Sequence, residues 1–247
     1  MFQIFTPIAD LRKKNSNNSA LETQLLYGEK ISILEEYKNW SLVHSKEDNY
    51  KGWINSNNLE KEKQNTYKVN KVFCFIFKKP DFKSLVIGKL FFNSKIEVIS
   101  SNDNWCEVFV NNRYGFIHKK SIISINKYIK DWVSISKMFL NVPYLWGGKT
   151  FDGIDCSGLV QLSLQFCGIN FPRDTKDQII FNSKFVKDTS KITRGCIIFW
   201  KGHVAISLNE KDIIHSNMYH LGVQIEKLKT AENRIGPISR VKRILSL

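Results

Sequence analysis

Between residues 31 and 117 the chain repeats itself, and the repeat fixes what its first half can fold into. Short runs rich in Val, Ile and Trp at 31–36, 40–44 and 52–54 recur in the same order at 95–99, 105–110 and 114–117. Tyr50-Lys-Gly-Trp-Ile54 lines up with Arg113-Tyr-Gly-Phe-Ile117, and Asn39-Trp40 with Asn104-Trp105, a period of about 64 residues. Runs this short, bounded by polar turns such as Glu47-Asp-Asn49, are strands. Each unit holds enough apolar surface for one small barrel. The expectation is two small all-β barrels, residues 1–64 and 65–125, with Trp40, Trp53 and Trp105 in their cores.

From residue 126 the period changes. Tyr128, Ile129, Trp132, Val133, Ile135, Met138 and Phe139 fall at spacings of three and four, which predicts an amphipathic helix over 128–139. A second helix is expected from Ser157 to Phe166, stopped by Gly168. Strand candidates follow at 196–200, 203–208, 212–216, 223–226 and near 238–244. Helices followed by an antiparallel meander make residues 126–247 an α+β domain.

Composition narrows the function. The net charge of +14 invites a nucleic-acid partner, but only seven of the 37 basic residues are Arg and the Lys are scattered. No nucleic-acid-binding signature accompanies them, so no such partner is expected. The longest apolar run, 72–77, is far too short to span a bilayer, and no membrane partner is expected. The first ten residues carry neither a basic leader nor a long apolar stretch, which predicts a cytoplasmic protein. Five cysteines, irregularly spaced and with no Cys-x-x-Cys pair, are neither a disulfide framework nor a zinc site. No metal or other cofactor is expected.

Two segments carry chemistry. In Tyr144-Leu-Trp-Gly-Gly-Lys-Thr-Phe-Asp-Gly-Ile-Asp-Cys-Ser-Gly158, Cys156 opens the second helix, flanked by Asp155 and Ser157 and preceded by a flexible Gly147-Gly148 pair. A helix start favours a thiolate, and its free amides can hold an oxyanion. By residue type alone, Asp155 is equally a helix cap, and Tyr144 and Trp146 are cleft wall or core. In the second segment His203 lies in Gly-His-Val-Ala-Ile and His215 in Ile-Ile-His-Ser. A cysteine nucleophile needs one imidazole as base and a further group to orient it.

Taken together, these segments resemble the NlpC-type cell-wall cysteine peptidases, whose catalytic domain is a reduced papain-like fold. The resemblance runs from about residue 126 to the C-terminus, and the paired SH3-like barrels suit one subgroup. Ala9-Asp-Leu-Arg12, Thr23-Gln24, Gly28-Glu29, Pro172-Arg-Asp-Thr175 and Gln178 have counterparts there, whereas Phe151-Asp152 replaces a pair that is often small or apolar. The implied architecture is two small all-β SH3-like barrels followed by an α+β papain-like cysteine peptidase domain. The resemblance implies Cys156 as nucleophile, His203 as base and His215 as the orienting residue. It also implies a murein peptide substrate, L-Ala-γ-D-Glu-diamino acid, cut after the glutamyl residue in cell-wall recycling. The free amine would be read by Asp155 and Ser157, with Thr175 and Tyr144 nearby and Tyr50 from the first barrel. Either Glu29 or Glu22 would be the barrel's acidic partner.

Two other readings compete: another Cys–His acyl transfer, such as an amidase or acyltransferase, and a non-catalytic wall-binding protein. The triad also makes a geometric demand. A two-residue connection at Glu210-Lys211 would set His215 opposite Ile206, on the wrong face. A three-residue connection, 209–211, sets it opposite Ala205 and diagonal to His203, so an odd connection or a bulge is expected. Otherwise the third role would fall to Asn217 or a backbone carbonyl.

Overall fold

Alternation of inward and outward residues builds the first half of the chain. The computed structural model describes residues 1–127 and 129–244, in two compact units, Met1–Lys127 and Tyr128–Leu247. In the first unit one antiparallel sheet runs in the order Leu21–Leu26, Ile8–Arg12, Lys51–Asn55, Trp40–Ser45, Lys30–Tyr37, Phe2–Ile4, Leu59–Lys61. It closes over Ile4, Leu11, Leu25, Ile31, Val43 and Ile54. The second repeat forms a five-stranded and a three-stranded sheet around Val69, Ile76, Leu90, Cys106, Val108 and Ile117.

The repeat is visible in the pairing. Trp40 stands opposite Asn55 across its hairpin, as Trp105 stands opposite His118. Asn55 and His118 each cap a one-turn 3₁₀ helix by accepting an amide two residues on. Tyr27 of the first repeat enters the core of the second. At the next residue, Gly28 (φ +78°), a Cβ would stand 2.0 Å from the Lys95 carbonyl oxygen. Of the three tryptophans expected in the cores, only Trp105 is buried; Trp40 and Trp53 are half-buried. Strand alternation explains Trp53, because Gly52 and Ile54 take the inward positions.

In the second unit the first helix is shorter than its periodicity suggests, covering Trp132–Lys137. Asp131 starts it by accepting the Ser134 amide at 3.1 Å, and Arg194 anchors that aspartate at 2.8 Å. Tyr128, where the expected helix began, lies outside the described residues. The helix Cys156–Phe166 is buried at every position but Gln165, as befits a central helix. It packs on the strands His203–Ser207 and Asp212–Asn217. Gly168 takes φ +85° just past its end. The sheet order is Lys184–Phe185, Arg240–Arg243, Cys196–Trp200, His203–Ser207, Asp212–Asn217, Gly222–Lys227, antiparallel throughout. The helix Leu228–Ile235 covers Ile198, Trp200 and Ile213 with Leu228, Ala231 and Ile235, residues at helical spacing. Each large apolar side chain so buried stabilises the unit by ~1.5–3 kcal/mol before entropy is subtracted. No helix among the described residues is long and apolar enough to cross a membrane.

Candidate active site

Two tight backbone approaches and one side-chain hydrogen bond hold the start of the central helix. A Cβ on Gly148 would meet the Gly153 carbonyl oxygen at 2.5 Å, and one on Gly158 would meet the Gly148 oxygen at 2.7 Å. The Ser216 hydroxyl donates to the Ile154 carbonyl at 2.6 Å, tying the turn to the strand that carries His215. The glycines here permit close packing, which corrects the reading of Gly147-Gly148 as a flexible lead. Gly147 itself takes φ +75° and donates its amide to Asp155 at 2.8 Å.

Asp155 is the N-cap, its Oδ1 accepting the Gly158 amide at 2.7 Å. The same carboxylate accepts two bonds from Arg173, Nη1 to Oδ1 at 2.9 Å and Nη2 to Oδ2 at 2.7 Å. Arg173 also donates to the Ser157 hydroxyl at 2.8 Å. Burial alone would lower the Arg173 pKa, but the ion pair outweighs it and the net direction is upward. Sequence reasoning noted Arg173 within a motif and assigned it no role. The available signal was that a buried arginine must find an acid.

Cys156 is 9% exposed. Its sulfur is hydrogen-bonded by the Val204 amide, next to His203, and by the Thr175 hydroxyl. Burial, and then the charge of Asp155, push its thiol up to about 11. Tyr144 is half-buried, and burial, then Cys156 and Asp155, raise its phenol to about 12. The structure therefore gathers Asp155, Ser157, Tyr144 and Thr175 around Cys156. Tyr50 belongs to the other unit, where its hydroxyl donates to Glu22 at 3.2 Å.

The imidazoles lie on adjacent strands. Ile206 pairs with Ile214 and Ser207 with Ile213, a register that sets position 215 beside position 205. Accordingly His203 Nε2 lies 2.8 Å from His215 Nδ1. Burial, then Arg234, bring His203 down to about 4. Burial, then His203, Arg234 and His220, bring His215 to about 3. Burial thus favours the neutral form of both rings and the protonated form of the Cys156 thiol. His215 is fully buried, and its Nε2 lies 2.7 Å from Glu226 Oε1. Glu226 was absent from the sequence reading.

His215, His220 and Glu226 also offer donor atoms within 4.8 Å of one another, a spacing that suits a cation. Arg234 already occupies Glu226 Oε1 with its own positive charge, so a metal would have to displace it. The arrangement suits proton transfer between uncharged partners and a nucleophilic sulfur at a helix start.

Residues 141–234 match the NlpC/P60 family, and residues 11–59 match the bacterial dipeptidyl-peptidase SH3 domain. The chain is similar to a gamma-D-glutamyl-L-lysine dipeptidyl-peptidase of Bacillus cereus (strain ATCC 10987 / NRS 248), at 26% identity over 87% of this chain and 73% of that protein. A protein of the same name from Bacillus subtilis (strain 168) is 27% identical over 65% of this chain, which spans 58% of that relative's length. Among solved structures, an NlpC/P60 family protein from Bacillus cereus ATCC 10987 superposes with a TM-score of 0.83, 22% identity and 99% of each chain covered. That likeness establishes the fold.

Proposed function

The chain carries an NlpC/P60 cysteine-peptidase domain together with a bacterial SH3 domain, and from that premise we propose that it cleaves murein peptides after γ-D-glutamate. The scissile bond joins the γ-carboxyl of D-Glu to a diamino acid, and the N-terminal L-Ala amine is free. The observation that carries the chemistry is the sulfur of Cys156 beside Val204, with His203 backed by His215 at 2.8 Å. Similarity to peptidases named for a γ-D-glutamyl-L-lysine bond supports the choice of bond.

In this reading His203 Nδ1 takes the thiol proton as sulfur attacks the γ-carbonyl carbon. The Cys156 and Ser157 amides, in the first turn and lacking intrahelical acceptors, stabilise the oxyanion. The proton passes from His203 to the departing amine, leaving a thioester at Cys156 that water hydrolyses by the same route. Asp155, Ser157 and Thr175 are proposed to read the substrate amine. Asp155 is already committed to Arg173, so Ser157→Ala probes that role with less structural damage. A place in cytoplasmic recycling of trimmed peptides follows from a requirement for a free amine.

The test is product analysis on four substrates: L-Ala-γ-D-Glu-diaminopimelate, its L-Lys counterpart, the N-acetylated tripeptide and intact sacculi. The free peptides should be cleaved after D-Glu. Loss of a charged hydrogen bond, ~1.5–3 kcal/mol, should slow the acetylated one roughly 10- to 150-fold. Equal rates on free and blocked peptides would overturn the amine requirement. Acyl transfer to an added amine without hydrolysis would replace the peptidase reading with a transferase.

A further inference from the structure

The strand Gly222–Lys227 lies beside the strand of His215, with His215 paired to Gln224. Side chains two apart share a face, so Glu226 stands on the face that carries His215. Its Oε1 is 2.7 Å from His215 Nε2 and 3.6 Å from His220 Nε2. Arg234, from the helix that begins at Leu228, returns to the same oxygen. His215 Nε2 makes no aligned hydrogen bond here, although the carboxylate oxygen is within bonding distance. Catalytic hydrogen bonds commonly tighten only when substrate is bound.

We propose that Glu226, held by Arg234, is a positioning residue that fixes the tautomers of both imidazoles. A neutral imidazole carries one proton, and its two nitrogens have opposite roles. With the carboxylate beside Nε2, His215 keeps its proton on Nε2 and presents Nδ1 as an acceptor. The partner facing that acceptor at 2.8 Å is His203 Nε2, which must then be the N–H. His203 is left with an unprotonated Nδ1, the nitrogen required to take a proton from Cys156. Were His215 protonated on Nδ1, His203 Nε2 would become the acceptor. Its proton would move to Nδ1, and the base would be blocked. One carboxylate thus sets the direction of every hydrogen bond between itself and the thiol. The inference rests on the reading of Cys156 and His203 as the reacting pair.

Nitrogen-15 NMR of imidazole-labelled wild-type protein at pH 7 tests the tautomers without substrate. The expected spectrum has His203 and His215 both protonated on Nε2 and bare on Nδ1. A proton on His215 Nδ1 would overturn the proposal, whatever the variants do. Kinetics supply the second readout, on folded protein confirmed by circular dichroism. Glu226→Ala should lower kcat about tenfold with KM within twofold, and Glu226→Gln, which keeps an acceptor, should restore part of that loss. Wild-type kcat in Glu226→Ala would contradict the proposal. Failure of the wild type to cleave any γ-D-glutamyl peptide would count against the proposed function and leave the tautomer result standing.

Discussion

On one side of Cys156 the polar groups are charged and saturated: Arg173 is clamped on Asp155, which caps the helix and holds the Gly147 amide. On the other side His203 and His215 are uncharged, pushed down to about 4 and 3 by burial and their surroundings. Both networks are buried, yet they suit different work. An ion pair whose acceptors are all taken resists change, so it maintains the close approach of Gly148, Gly153 and Gly158. Neutral imidazoles can accept a proton and return it. Position is supplied by one network and proton traffic by the other.

The sharpest way to break that comparison is to cut each network once. Arg173→Ala leaves a buried carboxylate unpaired and should cost about 3–5 kcal/mol in urea unfolding. His203→Ala should cost less than half of that, while turnover falls roughly 10²- to 10⁴-fold. If His203→Ala were as destabilising as Arg173→Ala, the division of labour would be wrong.

Acid separates the networks next. The folded-state pKa values of His203 and His215 lie below the ordinary imidazole value of 6.5, so protonation favours the unfolded chain. Their contribution is fully present above pH 6.5 and is lost as pH falls toward 4. The slope is at most ~1.4 kcal/mol per pH unit for each ring. Chemical denaturation between pH 4 and 7 should show it, and the wild-type kcat/KM should fall only as pH approaches 4, where His203 of the folded enzyme protonates. His203→Ala and His215→Ala should each flatten the stability profile.

Thr175→Ala removes one hydrogen bond to the sulfur, worth ~1 kcal/mol, and should lower kcat about fivefold with stability near wild type. The smallest effect concerns metal. With Arg234 seated on Glu226 and the chemistry carried by thiol and imidazole, dialysis against EDTA should leave kcat unchanged. Recovery of activity only on adding zinc would show that the His215, His220 and Glu226 group serves as a metal site.

The molecule was unevenly legible from its sequence. Trp40 and Trp105 marked the repeat because each opens a hairpin strand with a Gly-aromatic-Ile partner, a local pattern. The strands Phe2–Ile4, Ile8–Arg12 and Leu21–Leu26 escaped, since Gln3, Asp10 and Glu22-Thr-Gln24 interrupt their short apolar runs. The face shared by His203 and His215 could be reasoned from one connection of a few residues. Glu226 required the next turn as well, where Leu221 takes φ +57°, a conformation its residue type does not announce. Arg173 was hidden differently. It lies 18 positions from Asp155, and nothing in that spacing says the two meet.

Release of diamino acid from L-Ala-γ-D-Glu-diaminopimelate tests the account most directly, compared between wild type and Cys156→Ala. The two proteins should be matched for folded concentration by circular dichroism and thermal unfolding. The alanine variant should keep the wild-type melting profile and release no measurable diamino acid. Turnover above a few per cent of wild type would remove Cys156 as the nucleophile, and with it the mechanism built on His203, His215 and Glu226.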